Sequence, residues 1–249
     1  MRRAPTPWYD AWVPSFALVL EAIDLRAAYP STTGAVEVLH GVSLSLAAGE
    51  MTAIVGPSGS GKSTLMHLLG GLDTPTGGEV IWAGHSLRGQ DVETLARRRA
   101  REVGFIFQHH YLLEDLTVTQ NVNLPSLILG TSDEPRALEL LARVGLGGKG
   151  VLYPRALSGG ERQRAALARA MQAKPRLVLA DEPTGSLDRP NARQVFDLLL
   201  NLARREGAAV AVVTHDEVLA ASADRVLRLE DGRIVPESVG ATSPAVGAS

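Results

Sequence analysis

The chain contains no cysteine, so it has neither a disulfide framework nor a thiolate metal site. No apolar stretch approaches the ~20 residues of a membrane-crossing helix. The run Phe16–Leu20 is too short for the core of a signal sequence, so any task at a membrane falls to a partner. The net charge is only −2, with 21 % charged residues, which argues against a strongly basic nucleic-acid platform, and no nucleic-acid partner is expected. Internal repeats and low-complexity spacers are missing too.

What remains is 249 residues, 45 % of them hydrophobic, enough for one large α/β domain with a sizeable core. Residues 1–16 and 236–249 are expected to be disordered, since the tail is mostly Pro, Ser, Gly and Ala. The domain itself is placed at 17–235. Its first part reads as strands, with Val42, Leu44 and Leu46 alternating with Ser43 and Ser45 as in a half-buried antiparallel strand. Three continuous apolar runs follow, Met51–Val55, Leu177–Ala180 and Ala208–Val213. They suit strands of a parallel sheet covered on both faces by helices. Helical patterns come after each, at 62–69, 190–205 and 216–222.

Between Gln108 and Leu157 the pattern changes. Leu112, Leu113, Leu116 and Val118, then Leu138, Leu140, Leu141 and Val144, read as short amphipathic helices. They form a helical subdomain inserted at about 109–165. The expected fold is therefore α/β, with a mixed parallel core sheet, an antiparallel β subdomain and that helical insertion.

Each apolar run ends in residues suited to phosphate chemistry, and in open α/β sheets ligands bind beyond the carboxyl ends of the strands. After Val55 come Gly56, Pro57, Ser58, Gly59, Ser60, Gly61, Lys62, Ser63 and Thr64, which fit G-x-x-x-x-G-K-[ST] between a strand and a helix. Such a loop curls its backbone N–H groups around an anion at a helix N-terminus. Lys62 would meet the β- and γ-phosphates, and the Ser63 hydroxyl would bind Mg2+. After Ala180, Asp181 can organise Mg2+ and Glu182 can polarise the attacking water; phosphoryl transfer depends mainly on such positioning. Asp-Glu-Pro is also a common turn sequence, and this reading gains its weight from the phosphate loop.

Ser158, Gly159, Gly160 and Glu161 open an alanine-rich helical stretch, and S-x-x-E is a capping box. Two glycines there are costly unless backbone must approach something closely. A hydroxyl, free N–H groups and a helix N-terminus make a second anion site. Two copies packed head to tail would let each offer this element to the other's loop-bound ATP.

The phosphate loop, Gln108, Leu157–Glu161, Asp181-Glu182, Ser186-Leu187-Asp188 and His215, in this order, resemble the ATP-binding cassette (ABC) family over about residues 17–235. Within that family, His67–Thr76, Gly104–Leu113, Ser158–Arg164 and Leu179–Asp188 resemble the ATP-binding subunit of lipoprotein-releasing (LolD-like) and macrolide-exporter (MacB-like) transporters. The resemblance implies an ATPase with ATP and Mg2+. It also implies a second copy in an ATP-dependent dimer and integral membrane permease subunits, at the cytoplasmic face of the membrane. By resemblance Tyr29 stacks on adenine, Gln108 senses Mg2+ and the attacking water, His215 contacts the γ-phosphate, and Asp188 lies at the dimer seam. An FtsE-like cassette that relays force without transport would use the same residues. Glu161 departs from the family pattern, where glutamine is common. His109 and His110 read as surface or partner-facing rather than metal-binding, and Arg97, Arg98, Arg99 and Arg101 as a solvated helix face.

Overall fold

The computed structural model describes residues 18–32 and 34–235, so the tails expected to be disordered lie outside the described residues. Two long strands open the domain, β1 (Leu18–Ser31) and β2 (Gly34–Ala47), paired antiparallel from Leu18↔Ala47 to Ser31↔Gly34. The alternation read in β2 holds: Val42, Leu44 and Leu46 are buried and Ser43 is exposed. With β4 (Gly77–Trp82) and β5 (His85–Ser86) they make a four-stranded antiparallel sheet, in the order β2-β1-β4-β5.

The second sheet carries β3 (Met51–Val55), β6 (Val103–Phe107), β7 (Leu177–Asp181), β8 (Ala209–Val213), β9 (Arg225–Glu230) and β10 (Arg233–Val235), in the order β10-β9-β3-β8-β7-β6. Only the β9–β10 pairing is antiparallel. Successive residues of these strands enter different cores. Val178, Ala180, Val210 and Val212 face one side, among residues of the helices; Leu177, Leu179, Ala209 and Ala211 face the other, with the antiparallel sheet. That two-sided burial is why the runs are continuously apolar.

Helix α1 (Lys62–Leu69) follows β3, and α2 (Val92–Glu102) precedes β6. Next come α3 (Val118–Ile128), α4 (Glu134–Arg143) and α5 (Gly159–Met171), then α6 (Arg189–Glu206) and the short α7 (Glu217–Ala220). Helices α3 and α4 pack on α5, which also packs on α6 and β6.

Two expectations need correction. Leu112–Leu116 is a loop, not a helix; only Val118 of that group is helical. Its backbone is held by the buried Asn121 side chain, which accepts from Leu113 N at 2.7 Å and donates to the carbonyls of Leu113, Leu116 and Thr117. The basic run on α2 is only partly solvated. Arg97 is exposed and pairs with Glu93, but Arg98 donates to Trp82 O at 2.7 Å and pairs with Glu102, while Arg99 donates to Gly71 O at 2.8 Å.

Candidate nucleotide site

The registers place Phe107, Asp181, Val213 and Ile54 side by side across four neighbouring strands. One or two residues beyond that row lie Gln108, Glu182, His215 and the start of the phosphate loop. Residues scattered across the sequence thus meet along one edge of the sheet, its carboxyl edge.

The loop 56–61 leaves β3 with Gly56 at φ +153° pressed against β9: a Cβ there would lie 2.0 Å from Leu229 O. Gly61 precedes α1 at φ +97°, and no side chain caps that helix. Helices α2 to α7, by contrast, begin at Asp91, Thr117, Asp133, Ser158, Asp188 and Asp216, each of which accepts a hydrogen bond from its own first turn. The α1 terminus therefore keeps backbone N–H groups available to an outside acceptor. Lys62 Nζ lies across the loop mouth, donating to the carbonyls of Gly56 at 2.9 Å and Pro57 at 2.7 Å. Pro57, Ser58, Gly59 and Ser63 are exposed, Thr64 is half-buried and Ser60 is buried.

Glu182 accepts a 2.8 Å hydrogen bond from His215 Nδ1, which joins the ends of β7 and β8. Its backbone sits in the left-handed region at φ +49°, sparsely used by residues other than glycine and frequent where function over-determines geometry. Glu182 N donates to Val213 O at 3.0 Å, which holds that turn in place. Asp181 Oδ1 is buried without a hydrogen-bond partner. Gln108 stands beside Gly185, where an added Cβ would lie 3.3 Å from Gln108 Nε2.

Ser158 and Glu161 form the expected capping box, with Ser158 N donating to Glu161 Oε2 at 3.0 Å and Glu161 N to Ser158 Oγ at 3.3 Å. No hydrogen bond links residues 158–161 to the phosphate loop among the described residues, so the chain does not itself unite these two parts. A Cβ on Gly159 would meet nothing, so packing within the chain does not demand glycine there. Asp188 caps α6, accepting from Asn191 N at 3.1 Å and Asn191 Nδ2 at 2.7 Å. Tyr29, 38 % exposed at the end of β1, donates to Asp73 Oδ2 at 2.6 Å. Partial burial, then that carboxylate, raises the phenol above the ordinary tyrosine range.

These features are those of an ATP-binding cassette, and residues 39–185, more than half of the chain, match the ABC transporter family. The chain belongs to that family. Two solved structures of the cassette MJ0796 are 35 % identical to it, with a TM-score of 0.81, each match covering 87 % of this chain and 97 % of the other. One is a dimeric post-hydrolysis state bound to ADP and Pi; the other is the dimeric structure of MJ0796, a bacterial ABC transporter cassette. As an ABC cassette, the chain is an ATPase of the expected α/β fold.

Sequence reasoning missed three parts of this ABC cassette. Lys149 donates to Glu161 Oε1 at 2.5 Å and, with the Ser158 N–H, holds that carboxyl below its usual range. This gives the unusual glutamate a compensating charge. Asp73 restrains the Tyr29 ring. His110 does not simply face solvent: it is half-buried and bonded to Gln163. None of the three had a signal in the sequence, since each pairing is made only by the fold.

Proposed function

We propose that this cassette is the motor subunit of a membrane transporter, closing head to tail with a second copy around two ATP molecules. The observation that carries the reading is the 2.8 Å contact between Glu182 and His215, at adjacent strand ends beside the Lys62 loop. In this reading Lys62 and the open N-terminus of α1 hold the β- and γ-phosphates, with Gly56–Thr64 wrapped around them. Tyr29 packs on the adenine. Glu182 orients the water that attacks the γ-phosphorus and takes up its proton, while His215 restrains the carboxylate and faces the same phosphate. Ser158, Gly159, Gly160 and Glu161 come from the other copy, since within one chain they are not joined to the loop. Asp188 sits at the seam. Magnesium fits the oxygen ligands available: the buried, unpartnered Asp181 Oδ1, the Ser63 hydroxyl and the Gln108 amide oxygen. Bound there, it would neutralise charge on the phosphate oxygens.

The unit doing this work spans 17–235, with the helical insertion at about 109–165 receiving the permease. A groove of about 280 Å³ between Gln108, Tyr111, Glu114 and Ser186 supports that contact, as do the exposed Tyr111 and Leu113. Among the described residues no helix is long and apolar enough to cross a membrane. The permease therefore supplies the spans, with the cassette peripheral at its cytoplasmic face. The lipoprotein-releasing or MacB-like assignment rests on the stretches 67–76, 104–113, 158–164 and 179–188, and a co-purified permease with four spans and a large outer domain would support it.

Glu182→Gln tests the core of the reading. Hydrolysis should fall by about a hundredfold or more while ATP binding persists, because the base is lost and the phosphate cradle is not. Gel filtration with ATP should then show an accumulating dimer. A purely monomeric profile for that variant counts against the two-copy site.

A further inference from the structure

Beyond Phe107 the chain leaves the sheet, and three carbonyls of that turn are taken by one helix. Gln163, fully buried on α5, donates from Nε2 to Phe107 O at 3.2 Å. Arg169, further along α5, donates from Nη2 to His110 O at 2.8 Å and from Nη1 to Tyr111 O. Because the Gln163 amide nitrogen serves Phe107, its oxygen is the acceptor for His110 Nδ1–H. Desolvation is the main reason that His110 titrates below the ordinary histidine range, consistent with a neutral ring. Tyr111 follows in the left-handed region at φ +46°, its ring edge-on to Phe107 with centroids 5.3 Å apart.

The backbone is thus pinned on both sides of Gln108, at 107 and again at 110 and 111. The side chains of Gln108 and His109 between these points stay exposed. A fully buried amide costs stability unless its bonds specify something that apolar packing cannot. What it specifies here is the path of one turn. The helix that supplies the pins begins at Ser158.

We infer that Gln163 and Arg169 are positioning residues, which hold Gln108 at its working position and make it move with the Ser158 end of α5. This rests on the role proposed above for Gln108.

The test is steady-state ATPase kinetics of the purified chain carrying Gln108→Ala, Gln163→Met or both. Gln163→Met keeps the volume and removes both bonds. We expect kcat to fall about tenfold or more with KM for ATP changed less than about twofold, the signature of lost positioning. The double variant should be no slower than the slower single, because the latch acts through the residue already removed. Losses that multiply would overturn the inference, as would wild-type kcat in Gln163→Met beside a slow Gln108→Ala. Wild-type kcat in Gln108→Ala overturns the Gln108 reading itself, and the latch with it. If Gln163→Met does not melt cooperatively, Arg169→Lys replaces it: lysine keeps the charge but not the two-carbonyl fork, and the same masking by Gln108→Ala is required.

Discussion

The parallel sheet and the helical layer beside it are built on different physics. In the sheet, β3, β7 and β8 bury continuous apolar runs on both faces, and the backbone ladder satisfies their polar groups. In the layer from Phe107 to Gln172, the turns are set by buried amides. Asn121 holds 113–117, Gln163 holds 107 and 110, and Gln172 donates to Asn123 Oδ1, Ser126 Oγ and Asp133 O. The difference separates two duties. The sheet provides a stiff edge on which Lys62, Asp181, Glu182 and His215 keep their spacing. The layer provides irregular segments, each held in one conformation by a few directional bonds.

The comparison can be pressed at three points. The largest expected effect is in the sheet: Leu179→Ala empties a site that is 1 % exposed and should cost about 2–5 kcal/mol in urea unfolding. A loss under about 1 kcal/mol would mean that the sheet core is looser than its burial implies. In the layer, Asn121→Ala strands Leu113 N and several carbonyls, and should cost about 1–3 kcal/mol. Proteolysis should then cut the 112–117 loop earlier than the rest; uniform protection would show that Asn121 does not shape it. The smallest effect on stability is expected from Gly159→Ala, where a methyl meets nothing in the chain and alanine should be neutral or stabilising by a few tenths of a kcal/mol. Yet its ATPase activity should fall sharply if another copy approaches that backbone. An active, stable Gly159→Ala protein would break the two-copy site while leaving the fold intact.

The same contrast explains what could be read in advance. The three apolar runs announced β3, β7 and β8 within a residue or two, because two-sided burial leaves an unbroken pattern. Helix starts were legible where a capping side chain stood before them, as at Ser158. The loop at Leu112–Leu116 was misread because its leucine spacing imitates a helix, and the conformation is set instead by Asn121, a residue with no period of its own. Arg98 and Arg99 were misread for a related reason: a basic run says nothing about which carbonyl lies within reach, and here Trp82 and Gly71 do.

Residue order alone determined the phosphate loop, the acidic pair, the capped serine element and the α/β plan, since each depends on local chemistry or on period. Tertiary structure alone decided that Glu182 meets His215, that Asp73 restrains Tyr29, that Lys149 balances Glu161, and that Gln163 and Arg169 grip the turn around Gln108. Those pairings join residues distant in sequence. Their geometry is set by strand register and helix packing, which no local pattern encodes.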